Sequence, residues 1–200
     1  MVRPFPRGLF GKLPSRGDFV TRGLPASFLD PWEGWVAKAL AASQALLGDA
    51  WMDAWLTAPV WRFSLPPGAC GPDPVLGLML PSVDRVGRGY PLTVAVVFPG
   101  SRGTPDPETG ALFLDEAEDA VRDALADDID PDDLAAWIAD AVAVPEPDRA
   151  GSGLWWTDGA PLVPAGSLVL DGLPSMPDHA AMLAGTLDPA ASDSLGGACP

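Results

Sequence analysis

The sequence has few of the residues that perform most metal and acid–base chemistry. Its 200 residues include a single histidine, His179, and two cysteines, Cys70 and Cys199. With only two cysteines, we expect no disulfide framework and a reducing compartment, and the same scarcity argues against a zinc site. A Ser–His–Asp or Cys–His site would need His179 as its base. Because no nucleophile elbow surrounds it, we interpret His179 as a surface or helix-packing residue.

Long hydrophobic runs and positive charge are also scarce. The longest apolar runs have the length of a strand, well short of the roughly 20 residues that span a bilayer. We therefore expect a cytoplasmic protein with no direct membrane insertion. Twelve Lys and Arg stand against 27 Asp and Glu, and the excess of acids lies after residue 102. An acidic half repels nucleic acid, so we expect no nucleic-acid partner; a solubilising surface explains the acids more simply than a docking site.

Two motif-like segments lack positions that their chemistry needs. Gly11-Lys12 resembles a phosphate loop, but Leu13 stands where that loop has its magnesium-binding Ser or Thr. The acids at 128–132 begin like a calcium loop, yet the sixth position, Asp133, is not glycine. We interpret these acids as helix caps, and we predict neither a cofactor nor a metal site.

Aromatic residues are abundant enough for one buried core. Glycine (22) and proline (24) are frequent, as in disordered chains, but eight Trp and seven Phe supply the burial that disordered chains lack. We therefore expect a single α/β domain over residues 1–185, with a central mixed β-sheet flanked by helices. We expect residues 186–200 to form a disordered tail.

Short apolar runs and capping patterns predict the elements of this domain. The predicted strands cover residues 8–12, 60–65, 75–80, 92–98, 154–157 and 167–170. The helix starts are predicted at Asp30 with Glu33, Asp115 with Glu118, Asp130 with Pro131 and Asp133, and Ser175 with Asp178. The first helix is expected to end at Gly48, and a short helix follows around residues 51–56.

A polar segment at 81–93 separates two strongly apolar predicted strands. Charged groups between buried strands must be paired or be held for a partner, because unpaired buried charge is costly. We expect this segment to meet the turn at 14–18. The resulting charged cluster comprises Arg16, Asp18, Ser82, Asp84, Arg85 and Arg88. Two interpretations stay open: the cluster locks the fold, or it contacts a partner directly.

Trp155 and Trp156 are the candidate partner-contact aromatics. Adjacent residues of a strand point to opposite faces of the sheet, so one of the two indoles can be exposed to a partner. Tryptophan is enriched among the residues that dominate binding energy at interfaces. Packing in the core or at its rim is the alternative.

Several segments together resemble one family. They are FGKLPSRGDFV (10–20), PVWRF (59–63), PSVDRVGR (81–88) and YPLT (90–93), with looser matches at LWWT (154–157) and GLP (172–174). These segments resemble the N-terminal domain of TagF, a family of type VI secretion-associated proteins of Gram-negative bacteria. The resemblance extends over about residues 8–185.

The resemblance implies regulation rather than catalysis. TagF-like proteins act as post-translational repressors of type VI secretion, and the resemblance implies binding to the forkhead-associated scaffold protein of the apparatus. It implies no catalytic residues, so we expect a non-enzyme that acts by protein–protein interaction. The alternative is a small-ligand binding protein or enzyme that grips a phosphate or carboxylate with the loop of Asp84, Arg85 and Arg88.

Overall fold

The structure is a computed structural model that describes residues 5–127, 129–148, 150–170 and 172–185. The tail expected at 186–200 lies outside the described residues. Within the described ranges, no helix is both long enough and apolar enough to cross a membrane.

Among the described residues, one seven-stranded sheet forms the centre of the fold. Its strands are β1 (Arg7–Gly11), β2 (Val20–Arg22), β3 (Trp61–Leu65), β4 (Val75–Leu80), β5 (Leu92–Val97), β6 (Gly153–Thr157) and β7 (Gly166–Leu170). They lie in the order β2-β1-β5-β4-β3-β6-β7. The strand predictions from the apolar runs are confirmed to within a residue or two.

The described strand pairs are all antiparallel, whereas we expected a mixed sheet. The connections from β3 to β4 and from β4 to β5 explain part of this difference. Each is shorter than the dozen or so residues that a parallel crossover needs. The α/β class and the central sheet flanked by helices are confirmed.

Five helices flank the sheet in the described part of the chain. They are α1 (Ala26–Leu47), α2 (Trp51–Leu56), α3 (Ala111–Asp127), α4 (Pro131–Asp140) and α5 (Met176–Ala184), with a 3-10 turn at Gly48–Ala50. Helices α1, α2 and α5 supply the apolar core on one face of the sheet, and α3 and α4 supply it on the other. Strands β4 and β5 are buried along their whole length, which explains their continuous apolar sequences.

Two of the predicted helix starts are wrong. Helix α1 begins at Ala26, so Asp30 and Glu33 lie inside it and Pro31 is an internal proline. The added turn is stabilised by burial of Phe28, whose packing overrides the weak local preference. Helix α3 begins at Ala111, which places Asp115 inside the helix, where its carboxylate forms an ion pair with Arg62.

The other two caps are confirmed. The side chain of Asp130 accepts a hydrogen bond from the backbone N–H of Asp132 at the start of α4. Ser175 and Asp178 form a complete capping box at the start of α5. Helix α1 ends at Gly48, whose φ of 54° favours glycine over residues that carry a Cβ.

Candidate functional site

The centre of the candidate site is the carboxylate of Asp84, in the loop at 81–91 that joins β4 to β5. We call this loop the central loop. The Asp84 side chain is fully buried. Its Oδ2 accepts hydrogen bonds from Lys12 Nζ at 2.9 Å and from Arg88 Nε at 2.6 Å. Its Oδ1 accepts from the backbone N–H groups of Val86 and Arg88, both at 3.0 Å. One carboxylate thus holds four donors.

These donors keep the Asp84 carboxylate ionised. The hydrogen bond from Lys12 is the largest cause that lowers the pKa of Asp84 well below its usual range, and burial opposes it. The hydrogen bonds from Arg88 and Val86 lower this pKa further. Asp84 therefore carries its charge at neutral pH and satisfies it within the protein.

The backbone of the central loop closes on itself around Asp84. The N–H of Asp84 donates to the carbonyl of Arg88 at 3.1 Å, and the N–H of Gly87 donates to the carbonyl of Asp84 at 2.9 Å. Gly87 has a φ of 83°, which only glycine adopts at little cost. At the start of the central loop, Ser82 Oγ donates to the carbonyl of Lys12 at 2.7 Å. The indole N–H of Trp55 donates to the carbonyl of Ser82 at 3.0 Å. The loop is therefore anchored to α2 and to the residue that directly follows β1.

The turn at 14–18 meets the central loop, as the sequence predicts. The N–H of Arg85 donates to the carbonyl of Arg16 at 3.1 Å, and Arg88 Nη2 donates to the carbonyl of Gly17 at 3.4 Å. The side chains at this junction do not all pair with one another. The Arg16 guanidinium pairs with Asp130 of α4 instead. Asp18 is exposed and makes no hydrogen bond or ion pair within the described residues.

The predicted cluster therefore divides into a buried part and an exposed part. Ser82 and Asp84 are buried and hold the backbone in place. Arg88 spans both parts, because its Nε binds Asp84 while about two thirds of its side chain is exposed. The Arg85 side chain is exposed and has no polar partner in the described ranges. Val86 beside it is 70% exposed. We call Arg85, Val86 and Arg88 the loop tip.

Sequence reasoning missed two members of this site. Lys12 is the buried partner of Asp84, and Asp130 is the partner of Arg16. The signal for Lys12 was present, because a lysine within the apolar segment 9–13 must find an acid if it is buried. Asp130 gave no such signal, since its role as a helix cap already accounted for it.

The two candidate tryptophans lie on opposite faces of the sheet, as predicted. Trp155 is fully buried among Trp32, Trp35 and Phe63, so it is a core residue and offers no surface to a partner. The proposal that Trp155 contacts a partner is thereby corrected. Trp156 is half-buried at the rim of the opposite core and keeps part of its ring accessible.

Outside this site, the described residues offer few groups for metal binding or acid–base chemistry. They contain no group of three or more His, Cys, Asp or Glu side chains placed to hold a metal ion. A cleft of about 250 Å³ lies between the turn at 14–18 and α4, and charged residues of both signs line it. His179 is buried in α5 beside Trp35, which makes it a helix-packing residue.

Comparison with known proteins places this architecture in a family. The family model described as "TagF N-terminal domain, Type VI secretion system-associated" matches residues 8–141. The crystal structure of PA0076 from Pseudomonas aeruginosa PAO1, at 2.05 Å resolution, is similar with a TM-score of 0.79. It shares 33% sequence identity, and the similarity covers 91% of this chain and 96% of that chain. The comparison with curated proteins returned no match. Since the match spans more than half of the chain and includes both Lys12 and the central loop, the chain belongs to the TagF N-terminal domain family of type VI secretion-associated proteins.

Proposed function

We propose that the protein is a non-catalytic, cytoplasmic, post-translational repressor of type VI secretion. It acts by binding the forkhead-associated scaffold component of the secretion apparatus. The observation that carries this proposal is the family match over residues 8–141, which associates the chain with type VI secretion. The repressor role and the scaffold partner extend that association along the lines that the family resemblance implies.

The loop tip is the surface we assign to this interaction. Asp84 holds the backbone of the tip through two side-chain and two backbone donors. A pre-ordered loop loses little conformational entropy on binding, which favours affinity. The side chains of Arg85 and Val86 take no part in that anchoring, because both are exposed to solvent. They are therefore available for a partner.

The charge of the tip indicates what the partner presents to it. The chain has a formal net charge of −15, but its excess of acids lies after residue 102, and the loop tip itself is cationic. Arginine at an interface binds carboxylates in two-pronged geometry and packs its planar group against apolar or aromatic surface. We expect the scaffold to offer a carboxylate to Arg85, with an apolar contact for Val86 beside it.

The test is a binding measurement between this chain and the purified scaffold, with charge-matched variants. R85A is expected to weaken binding at least tenfold while the melting temperature stays within about 2 °C of wild type. R102A is the control, because Arg102 is also exposed and has no described polar partner. It should bind as wild type does. Equal binding by R85A and wild type would show that the loop tip is not the interface. No binding by wild type at any salt concentration would overturn direct scaffold recognition.

Anion binding by the same loop is the competing hypothesis. It is favoured by one observation, the exposure of two guanidinium groups, those of Arg85 and Arg88, on a single rigid loop. An anion at Arg88 must share that guanidinium with Asp84, which already occupies its Nε–H. A thermal-shift screen with inorganic phosphate and nucleotides tests this reading. A ligand at about 100 times its Kd adds about 2.7 kcal/mol of stability, enough for a clear shift.

A further inference from the structure

The two edges of the sheet differ in how they are protected. Strand β2 forms one edge and has only three residues, Val20–Arg22. The guanidinium of Arg22 lies 2.6 Å from the carboxylate of Asp132, so α4 is tied to this edge. A short strand, a charged side chain and a covering helix are the usual means by which proteins block pairing at a sheet edge.

Strand β7 forms the other edge and has none of these features. Its five residues, Gly166–Leu170, include no charged residue and no proline. Its described hydrogen-bonded strand partner is β6, on its inner side. On the outer side, the N–H and C=O groups of β7 have no backbone partner among the described residues, and such groups can pair with another extended strand. Val169 on this strand is 62% exposed.

The side chains beside this edge form a suitable surface for another strand. Trp156 lies directly opposite Ser167, and Leu154 lies opposite Val169, on the same face of the sheet. Because Ser167 is small, a long side chain on an added strand can pass over it and reach the half-buried ring of Trp156. The cation on the inner side of Trp156, Arg62, is already paired with Glu118 at 3.0 Å.

The charge around β7 selects the occupant. The described residues between 150 and 185 include two aspartates, Asp158 directly after β6 and Asp178 in α5, and no lysine or arginine. A second copy of the chain would present the same excess of acids, so charge does not favour a symmetric dimer through β7. A strand that carries lysine or arginine is attracted instead, and its cation can lie over the Trp156 ring.

We propose that the outer edge of β7 binds an extended, lysine- or arginine-bearing segment of another protein as an eighth strand. The main chain of the segment pairs with the free edge, and a cationic side chain crosses Ser167 to contact Trp156. This site shares no residue with the loop tip and goes beyond the proposed function. A negative result for one of the two proposals therefore does not contradict the other.

The test uses a fluorescein-labelled ten-residue peptide that alternates lysine and valine, with fluorescence anisotropy as the readout. It should bind at least tenfold more tightly than a glutamate–valine peptide of the same length. Placing proline at two central positions of the lysine peptide should abolish binding, because proline cannot donate to the ladder. W156A should weaken binding several-fold. Backbone amides within Gly166–Leu170 should gain protection from hydrogen exchange when the peptide is bound.

Matched charge variants separate this site from general attraction to an acidic protein. V169K adds a positive charge on β7, and L112K adds one at a similarly exposed position on α3, where Leu112 is 57% exposed. Only V169K should weaken binding at least fivefold. Equal effects of the two variants, or protection that appears away from β7, would overturn the proposal. So would a dimer in sedimentation velocity whose β7 amides are protected without peptide, since a second copy would then occupy the edge.

Discussion

Asp84 and Lys12 form a buried ion pair across 72 positions of sequence, with 2.9 Å between Oδ2 and Nζ. Lys12 follows β1, and Asp84 lies in the loop between β4 and β5. The pair therefore joins the central loop to a neighbouring part of the sheet. The same ammonium lies 5.3 Å from the ring centre of Phe19, so it is enclosed by an acid and an aromatic ring. Because Asp84 is the acid paired with Lys12, loss of the Asp84 charge would leave the buried ammonium without a compensating charge.

Replacing Asp84 by asparagine should destabilise the protein strongly. D84N keeps the shape of the side chain but removes the charge that compensates the buried Lys12 ammonium. We expect the melting temperature to fall by roughly 10 °C, measured by differential scanning calorimetry. The control R85A, at the exposed position next to it, should melt within about 2 °C of wild type. If D84N melts as wild type does, the central loop is not held by this carboxylate.

The apolar runs predicted the sheet well because burial on both faces leaves a direct mark on sequence. Strands β4 and β5 are buried at every position, and their continuous Val and Leu runs have no helical period. The caps at Asp130 and Ser175 were equally readable, because a cap is a local interaction within three residues.

The features that sequence did not reveal depend on distant contacts. Nothing near Asp84 in sequence identifies Lys12 as its partner, because only the pairing of β1 with β5 brings them together. The start of α1 was misplaced because burial of Phe28 outweighs the capping signal of Asp30. Local patterns gave the elements and the polar loop, and tertiary packing decided which charges meet.

Gly11 is a second point at which the site depends on exact backbone geometry. Its φ is 145°, and a Cβ placed on it would lie 2.0 Å from the carbonyl oxygen of Pro91. We expect G11A to lose more than about 3 kcal/mol in the free energy of unfolding, through strain and this backbone collision. Urea unfolding measures the loss. The control is G17A in the turn at 14–18, where a Cβ meets nothing within 4 Å. It should change the free energy by no more than about 0.5 kcal/mol. Similar losses for the two variants would contradict the argument.

Adjacent tryptophans on β6 should respond very differently to truncation. Trp155 is fully buried, with 4.9 Å between its ring centre and that of Phe63, so W155A leaves a large cavity. We expect it to lose about 3–5 kcal/mol of stability. Trp156 is half-buried at the rim, and W156A should lose only about 1–2 kcal/mol. Chemical denaturation of both variants under one set of conditions provides the comparison. A larger loss for W156A would contradict the assignment of Trp155 to the core and Trp156 to the rim.

His179 is the single histidine of the chain, and it packs between α5 and α1. Its ring meets that of Trp35 edge-on, with 5.8 Å between centres, and its Nδ1 has no hydrogen-bond partner among the described residues. Burial lowers the pKa of His179 from 6.5 to about 4, and a hydrogen bond to the Ala39 backbone partly opposes this shift. The folded protein therefore keeps the imidazole neutral under conditions in which the unfolded chain is protonated.

Stability should consequently fall as the pH drops from about 6.5 to about 4. In that window the unfolded chain binds a proton at His179 and the folded chain does not, so protonation favours unfolding. The total loss is about 3 kcal/mol, and below the folded pKa this contribution stays constant. Urea unfolding at half-unit steps between pH 7 and 4 measures it. H179Q cannot titrate and retains a donor for the Ala39 carbonyl, so its curve should be flatter than that of wild type. The difference between the two curves removes the contribution of the carboxylates, which both proteins share. Parallel curves would show that His179 is protonated as readily in the folded protein as in the unfolded chain.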